Sequence, residues 1–419
     1  MLHIAIIGSG PAGCYLADQL LRLMPDASID VLERLPVPFG LVRYGVAPDH
    51  QGTKAVTRVL DRVISRDRVY FFGNIEVGRD LLLGELTLLY DVVVLATGAT
   101  RDRRLGIAGE ELPGVIGSGA FTSWYNGHPD AAMPFLREVL SVVVIGNGNV
   151  ALDVARMLAK DGAEFAGSDL SPEVTSTLAA QTIEAIHIIG RRSAADAKFT
   201  EHELAELGTL SRAQPTVADP AGLTGPSQVI ETLRRFASAA KQDKPVSINF
   251  HFNLTPAAFV GEGRLCAVQF RAADGSTCAL PAQLAVTCIG YESRPCCSVV
   301  PDHGVFQNEE GKISDRLYAV GWAKRGPSGT IPTNRAEAQQ LAQKIAREAT
   351  DLNRPGTEGL RTLLKERGLQ WVDYSGWRRI EAAELGAAPQ QRCRQKSCSL
   401  QQMLQAAQME QLRTVVEGT

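Results

Sequence analysis

The sequence contains no Cys-x-x-Cys pair; its eight cysteines, at positions 14, 266, 278, 288, 296, 297, 393 and 398, are scattered along 419 residues. Spacing therefore writes no zinc site, no iron-sulfur ligand set and no thioredoxin-like dithiol, and all eight are expected to be reduced thiols. Long apolar runs are missing too. Val92–Ala96 and Val142–Ile145 stop far short of the ~18 residues of a spanning helix, so no membrane span is expected. No charge of one sign dominates: 43 basic against 46 acidic residues give −3, which offers no global field to nucleic acid or an anionic membrane. The N-terminus shows neither the pattern of a secretory signal nor that of a transit peptide, which makes the cytosol the expected location. What remains, 45% hydrophobic and 21% charged residues, is the composition of a globular chain of about two or three domains.

Two glycine fingerprints organise that chain. Residues 3–7 are an apolar run, followed by Gly8-Ser9-Gly10-Pro11-Ala12-Gly13 and an amphipathic stretch with Ala17, Leu20, Leu21 and Met24 on one face. This reads as strand, glycine turn, helix. The next apolar segment ends at Glu33, 25 residues after Gly8 and close to the ~20-residue offset of a ribose-binding acid. Gly8 permits the tight turn, Gly10 lets backbone amides approach a pyrophosphate, and Gly13 lets helix and strand pack closely. The signature predicts a dinucleotide site.

A second copy lies in Ser141–Ala151, with Gly146-Asn147-Gly148-Asn149-Val150 as its turn and Ala151 in place of the third glycine. The following candidate strand, 185–189, ends in Gly190-Arg191-Arg192 where the first copy has its acid. An acid there would repel a 2′-phosphate, whereas two guanidiniums can hold one through charge-assisted bonds, so the second nucleotide is expected to be NADPH. The longer gap before the arginines, filled by 161–180, is expected to be an insertion on the domain surface. Buried-type strands ending at glycine, 90–99 and 284–291, close each unit. The expected fold class is α/β with two Rossmann-like dinucleotide-binding domains, the NADP domain (105–292) inserted into the FAD domain (1–104 and 293–419).

Pro36–His50 and Gly321–Ile331, together with Trp124-Tyr125-Asn126-Gly127, Gly148–Arg156, Gly190-Arg191-Arg192, Phe199-Thr200 with Glu203-Leu204, and Ile289–Pro295, closely resemble the adrenodoxin-reductase-like family of ferredoxin-NADP reductases over nearly the whole chain. That resemblance implies an NADPH:ferredoxin oxidoreductase in which hydride passes from NADPH to non-covalent FAD and single electrons pass on to an iron-sulfur protein. It implies FAD contacts at Ala12, Glu33, Leu41, Val77, Trp322, Gly329, Thr330 and Ile331. It implies NADP contacts at Asn147, Gly148, Asn149, Val150, Arg191, Arg192, Glu203 and Gly329. Asp49 and His50 are the candidates for proton handling, since His titrates near neutrality, and Glu203 for orienting the nicotinamide amide or ribose. No metal site is expected.

The residues themselves suggest that Asn334, with Glu337 three positions on, caps a helix whose positive end lies toward a reduced flavin. Three departures from the family stand out: Ser193 after the arginines, His202 before Glu203, and Gln390–Lys396 in place of a Gly-Lys-Pro-Arg-Glu-Lys-like segment. The last of these puts partner docking at that segment in doubt. Because ferredoxins are typically acidic, the partner is expected on a local basic face, and Arg234, Arg235, Lys241 and Lys244, opposed by Asp243 alone, are the densest candidate. The protein is expected to be a monomer. Two rivals share these features: a flavin-dependent NADPH monooxygenase, and a flavin-binding electron-transfer subunit of a larger redox complex. A disulfide reductase would need paired cysteines at the flavin, which the absent Cys-x-x-Cys argues against.

Overall fold

The computed structural model describes residues 1–134 and 138–416, with side chains to residue 408. The chain forms two compact units, the first made of Met1–Arg101, Gly127–Asp130 and Tyr291–Thr419, the second of Asp102–Asn126 and Ala131–Gly290.

The first unit is built on a six-stranded sheet in the order Lys312–Ser314, Leu317–Ala319, Val92–Leu95, His3–Ile7, Ser28–Glu33, Val69–Gly73. All neighbours are parallel except the antiparallel edge strand 312–314. Its strands are apolar almost throughout because both faces are covered. Alternation sends Ile4, Ile6, Val92 and Val94 to one core with the helices Pro11–Leu23 and Ile331–Glu348, and Ala5, Ile7, Val93 and Leu95 to another with the helix Gly356–Glu366. One buried charge interrupts the pattern. Asp30 accepts hydrogen bonds from Tyr90 Oη (2.6 Å) and Thr357 Oγ1 (2.8 Å), and burial pushes its carboxyl up to about 6 against those two bonds.

The second unit holds a six-stranded all-parallel sheet, in the order Val115–Gly117, Leu284–Thr287, Ser141–Ile145, Ala185–Ile189, Val246–His251, Ala213–Val217. Helices cover one face. An antiparallel three-stranded sheet, Leu254–Val260, Ala267–Ala272 and Thr277–Pro281, covers part of the other, packing Phe259, Val268 and Phe270 on Val143 and Ile145. The segment 161–180 is not the surface insertion expected from sequence. Asp161 and Ser171 cap two short helical turns, and Phe165, Leu170, Val174 and Leu178 are buried in the helix-covered core. Four apolar side chains lend the segment a reason to pack that spacing alone does not display.

Candidate functional site

In the first unit the strand His3–Ile7 delivers the chain into the glycine turn, and backbone geometry dictates each glycine. Gly8 has φ +114°, and a Cβ there would lie 2.4 Å from Ala96 O; a Cβ on Gly13 would lie 2.1 Å from Gly8 O. Gly10 is different: a Cβ there meets nothing within 4 Å, so its hydrogen faces open space. Gly10 is the N-cap of the helix Pro11–Leu23, which has no side-chain cap and no acid in its first turn. The helix therefore begins with free amides and an unopposed positive end, the arrangement that holds a pyrophosphate. Thr97, whose amide borders Gly8, has a buried hydroxyl with no hydrogen-bond partner. These features fit a dinucleotide.

Glu33 lies across the same turn. Its carboxylate accepts from Ser9 N (3.1 Å) and Ser9 Oγ (2.7 Å) on one oxygen and from Leu35 N (3.3 Å) on the other. The segment before Leu41 also reaches the turn: Phe39 N donates to Ser9 O (3.2 Å), and a Cβ on Gly40 would lie 3.5 Å from Gly10 Cα. Leu41 opens the short helix Leu41–Tyr44 and is 37% exposed, its side chain lying against Gly45. Val77 is half-buried at the edge of the core beneath the sheet, on a segment tied to the acid through the Ile75 N to Glu33 O bond (2.9 Å). Asp49 and His50 follow Leu41–Tyr44, and His50 stands at the N-cap of the short helix Gln51–Lys54.

The segment Gly321–Ile331 joins this assembly. Gly321 has φ +69°, and a Cβ there would lie 2.5 Å from Ala12 Cβ, so only glycine lets the segment pass the fingerprint helix. Trp322 stacks on Tyr291 (5.9 Å between rings, 18°) and donates from Nε1 to Ser328 O (3.0 Å). The helix begins earlier than the sequence suggested. Its N-cap is Thr330, its span is Ile331–Glu348, and Thr330 and Thr333 cap each other reciprocally, with Pro332 tolerated in the first turn. Asn334 does not cap; its Oδ1 accepts from Arg325 Nη2 (2.8 Å). Glu337 is instead an ionic hub, taking Gly321 N (3.0 Å), Lys324 (3.3 Å) and Arg325. Sequence reading missed that role because the hub's partners lie on the opposite side of a loop.

The doubtful C-terminal segment also turns inward. Arg394 pairs with Glu384 (3.1 Å) and Glu381 (2.8 Å), and Glu384, fully buried, pairs with the buried Arg43. His128 is a second residue the sequence reading overlooked. Its ring meets Tyr44 edge-on (4.8 Å), Asp130 N donates to its Nδ1 (3.1 Å), and burial with Arg34 beside it pushes its pKa down to about 4, which keeps it neutral.

The second unit repeats the cradle. Gly146 has φ +143°, with Cys288 O 2.3 Å from where a Cβ would sit; Gly148 caps the helix Asn149–Ala159, again with no side-chain cap and no acid in the first turn, and has open space at its Cβ position. Asn147 Oδ1 is buried and unpartnered, and its amide occupies the space a Cβ on Gly190 would need (1.9 Å). That contact brings Gly190-Arg191-Arg192 to the fingerprint. Among the described residues neither guanidinium makes an ion pair or hydrogen bond, and both are exposed. The segment carrying Glu203 is stitched over the same turn: Lys198 N donates to Asn147 O (2.7 Å), Thr200 N to Asn149 Oδ1 (2.8 Å), and Glu203 N to Thr200 Oγ1 (3.4 Å). Ser193 bonds Asp196 (2.7 Å), and His202 is exposed beside Glu206.

The basic stretch is more occupied than its charge count suggests. Arg234 bonds Leu223 O (3.1 Å) and pairs with Glu231 (3.5 Å), Arg235 pairs with Glu201 (3.6 Å), and Lys244 donates to Leu210 O and Ala213 O (2.6 and 3.2 Å). Lys241 is exposed and, among the described residues, unpaired.

A family model for pyridine nucleotide-disulphide oxidoreductases matches residues 2–321. Cindoxin reductase of Citrobacter braakii is 37% identical over 416 residues, spanning 96% of this chain and 91% of the relative. Mitochondrial NADPH:adrenodoxin oxidoreductase of Arabidopsis thaliana is 35% identical over 440 residues, spanning 91% and 90%. Among solved structures, Mycobacterium tuberculosis FprA in complex with NADPH has a TM-score of 0.91 at 34% identity, over 97% of this chain and 99% of that one. Thioredoxin reductase of T. acidophilum, at 15% identity and a TM-score of 0.51, shares the fold. The chain thus belongs to the pyridine nucleotide-disulphide oxidoreductases, and within them to the adrenodoxin-reductase-like ferredoxin-NADP reductases.

Proposed function

We infer that the protein is an FAD-dependent NADPH:ferredoxin reductase. The observation that carries this reading is the pair of uncapped, glycine-framed helix ends, one per unit, with an acid across the first and two free arginines beside the second. Bound FAD supplies the conversion of a two-electron hydride donor into single-electron deliveries, and the protein supplies alignment and electrostatics.

In this reading the first unit holds FAD. Gly8, Gly10, Ala12 and Gly13 receive the pyrophosphate at the helix end, and Glu33 accepts from the adenosine ribose once it releases Ser9. Leu41 and Val77 cover apolar edges of the adenosine half. Trp322, held flat by Tyr291 and Ser328, borders the isoalloxazine, and the N-terminus of the helix at Thr330 and Ile331 places its positive end toward the ring's carbonyl edge. Asp49 and His50 handle the proton that accompanies reduction. The second unit holds NADPH, with Asn147–Val150 on the pyrophosphate, Arg191 and Arg192 on the 2′-phosphate, and Glu203 orienting the nicotinamide side.

The partner is an acidic ferredoxin, received on the face of Arg234, Arg235, Lys241 and Lys244 by a monomer in the cytosol. Lys241 is the cation there with no competing local partner. Acid release of the flavin from pure protein tests the assignment: FAD is expected, and FMN or a colourless chain that takes up no flavin would overturn it.

A further inference from the structure

Cys296 and Cys297 belong to no motif used above. They open a tight turn closed by Cys296 N to Val299 O (2.9 Å) and Val299 N to Cys296 O (3.0 Å), within which Cys297 takes φ +53°. That left-handed conformation is unfavourable for cysteine and is held by the turn around it. The two adjacent thiols live in different surroundings. Cys296 is 5% exposed. Burial first, and its neighbour second, push the Cys296 thiol up to about 12, so it keeps its proton. Cys297 is only half-buried, between the turn and the exposed Ser298 and Val300, and its sulfur accepts a hydrogen bond from Leu83 N (3.2 Å). Of the two sulfurs it is therefore the one that a small oxidant can reach, with an amide N–H holding it in place.

We propose that Cys296 and Cys297 form a modification site, a dithiol that hydrogen peroxide closes to a vicinal disulfide. Cys297 thiolate attacks one peroxide oxygen; the O–O bond breaks, giving a sulfenic acid at Cys297 and hydroxide, which takes up a proton as water. Cys296 sulfur then attacks Cys297 sulfur. The S–S bond forms, the S–O bond breaks, and the hydroxyl leaves as a second water with the proton from Cys296. Two thiols are oxidised by two electrons, and one peroxide is reduced to two waters. Adjacent Cα atoms stand ~3.8 Å apart, closer than the ~4.4–6.8 Å of ordinary disulfides, so the bridge is strained and thiols reopen it readily. Closure draws Cys297 sulfur from Leu83 N and is felt in the loop 77–83, where a Cβ on Gly78 would lie 3.9 Å from that sulfur. This pair is chemically distinct from a Cys-x-x-Cys dithiol, which the chain does not contain.

The test treats the reduced, full-length protein with a slight excess of hydrogen peroxide at neutral pH, then alkylates and maps all eight cysteines by mass spectrometry. Wild type is expected to lose two hydrogens, to yield a peptide bridged internally at 296 and 297, and to regain both thiols with dithiothreitol. Cys296→Ser, which keeps the size of the side chain, is expected to form no bridge and to give a dimedone adduct at Cys297. An unoxidised Cys297, a sulfinic acid at Cys297 with Cys296 still free, or a bridge from either residue to another cysteine would each overturn the proposal.

Discussion

Replacing Arg191 and Arg192 together by alanine isolates the nucleotide preference from everything else the second unit does. Neither guanidinium is paired among the described residues, so their removal breaks no ion pair there and exposes no buried partner. Hydrogen bonds to a charged group contribute roughly 1.5–3 kcal/mol each, and full exposure lowers that toward about 1 kcal/mol through solvent screening. Two such bonds give about 2 kcal/mol, and at 1.36 kcal/mol per tenfold the double variant should lose about 30-fold in kcat/KM with NADPH. NADH carries no 2′-phosphate and should change less than about twofold. Steady-state dye reduction with both nucleotides, on holoenzyme of checked flavin content, reads the two values side by side. Equal losses for NADPH and NADH would refute the 2′-phosphate role and assign the arginines to the general stability of the turn.

Three further outcomes follow from the geometry. Gly10→Ala should fold with nearly unchanged thermal stability, since its Cβ meets nothing within 4 Å, yet release FAD readily because the methyl occupies the pyrophosphate cradle; wild-type flavin retention would contradict the cradle. Asp30→Asn should raise the melting temperature more at pH 7.5 than at pH 4.5. Asp30's folded pKa, about 6, exceeds its unfolded value, so wild type binds more protons when folded and loses stability as pH rises from about 4 to about 6, by roughly 3 kcal/mol; an equal Tm difference at both pH values would refute this. Lys241→Glu should slow ferredoxin reduction several-fold at low salt and converge with wild type near 1 M salt, where the Debye length is ~3 Å, and unchanged rates at all salts would remove this face from docking.

The parts of the fold carried by local rules could be read in the sequence. Each glycine turn sits between an apolar strand and an amphipathic helix within some twenty residues, and the structure keeps both arrangements. Near Ile331 two capping solutions compete, Thr330 with Thr333 and Asn334 with Glu337, and sequence proximity does not say that Arg325 claims Asn334 while Gly321, Lys324 and Arg325 claim Glu337. In the antiparallel sheet 254–281 only the central strand alternates, with Val268 and Phe270 buried and Gln269 and Arg271 exposed, while the two outer strands are mostly half-buried or exposed and carry no such signal. The Arg43–Glu384 pair spans 341 positions, and only the folded chain shows that Arg394 faces inward to it. Likewise, the charge count of 234–244 looked like a free basic face, whereas three of its four cations already bond neighbours. Thr97 carries no motif at all; its significance is an unpartnered buried hydroxyl beside Gly8.

Anaerobic mixing tests the central claim most directly: FAD-loaded protein is first reduced with one equivalent of NADPH, then combined with an oxidised acidic ferredoxin whose visible bleaching is followed in time. The account predicts that NADPH bleaches the flavin far faster than NADH does, and that each reduced protein molecule then reduces two ferredoxins in one-electron steps that slow with salt. Rapid flavin reduction followed by no ferredoxin reduction, while the same reduced protein hydroxylates a small substrate in air, would contradict it.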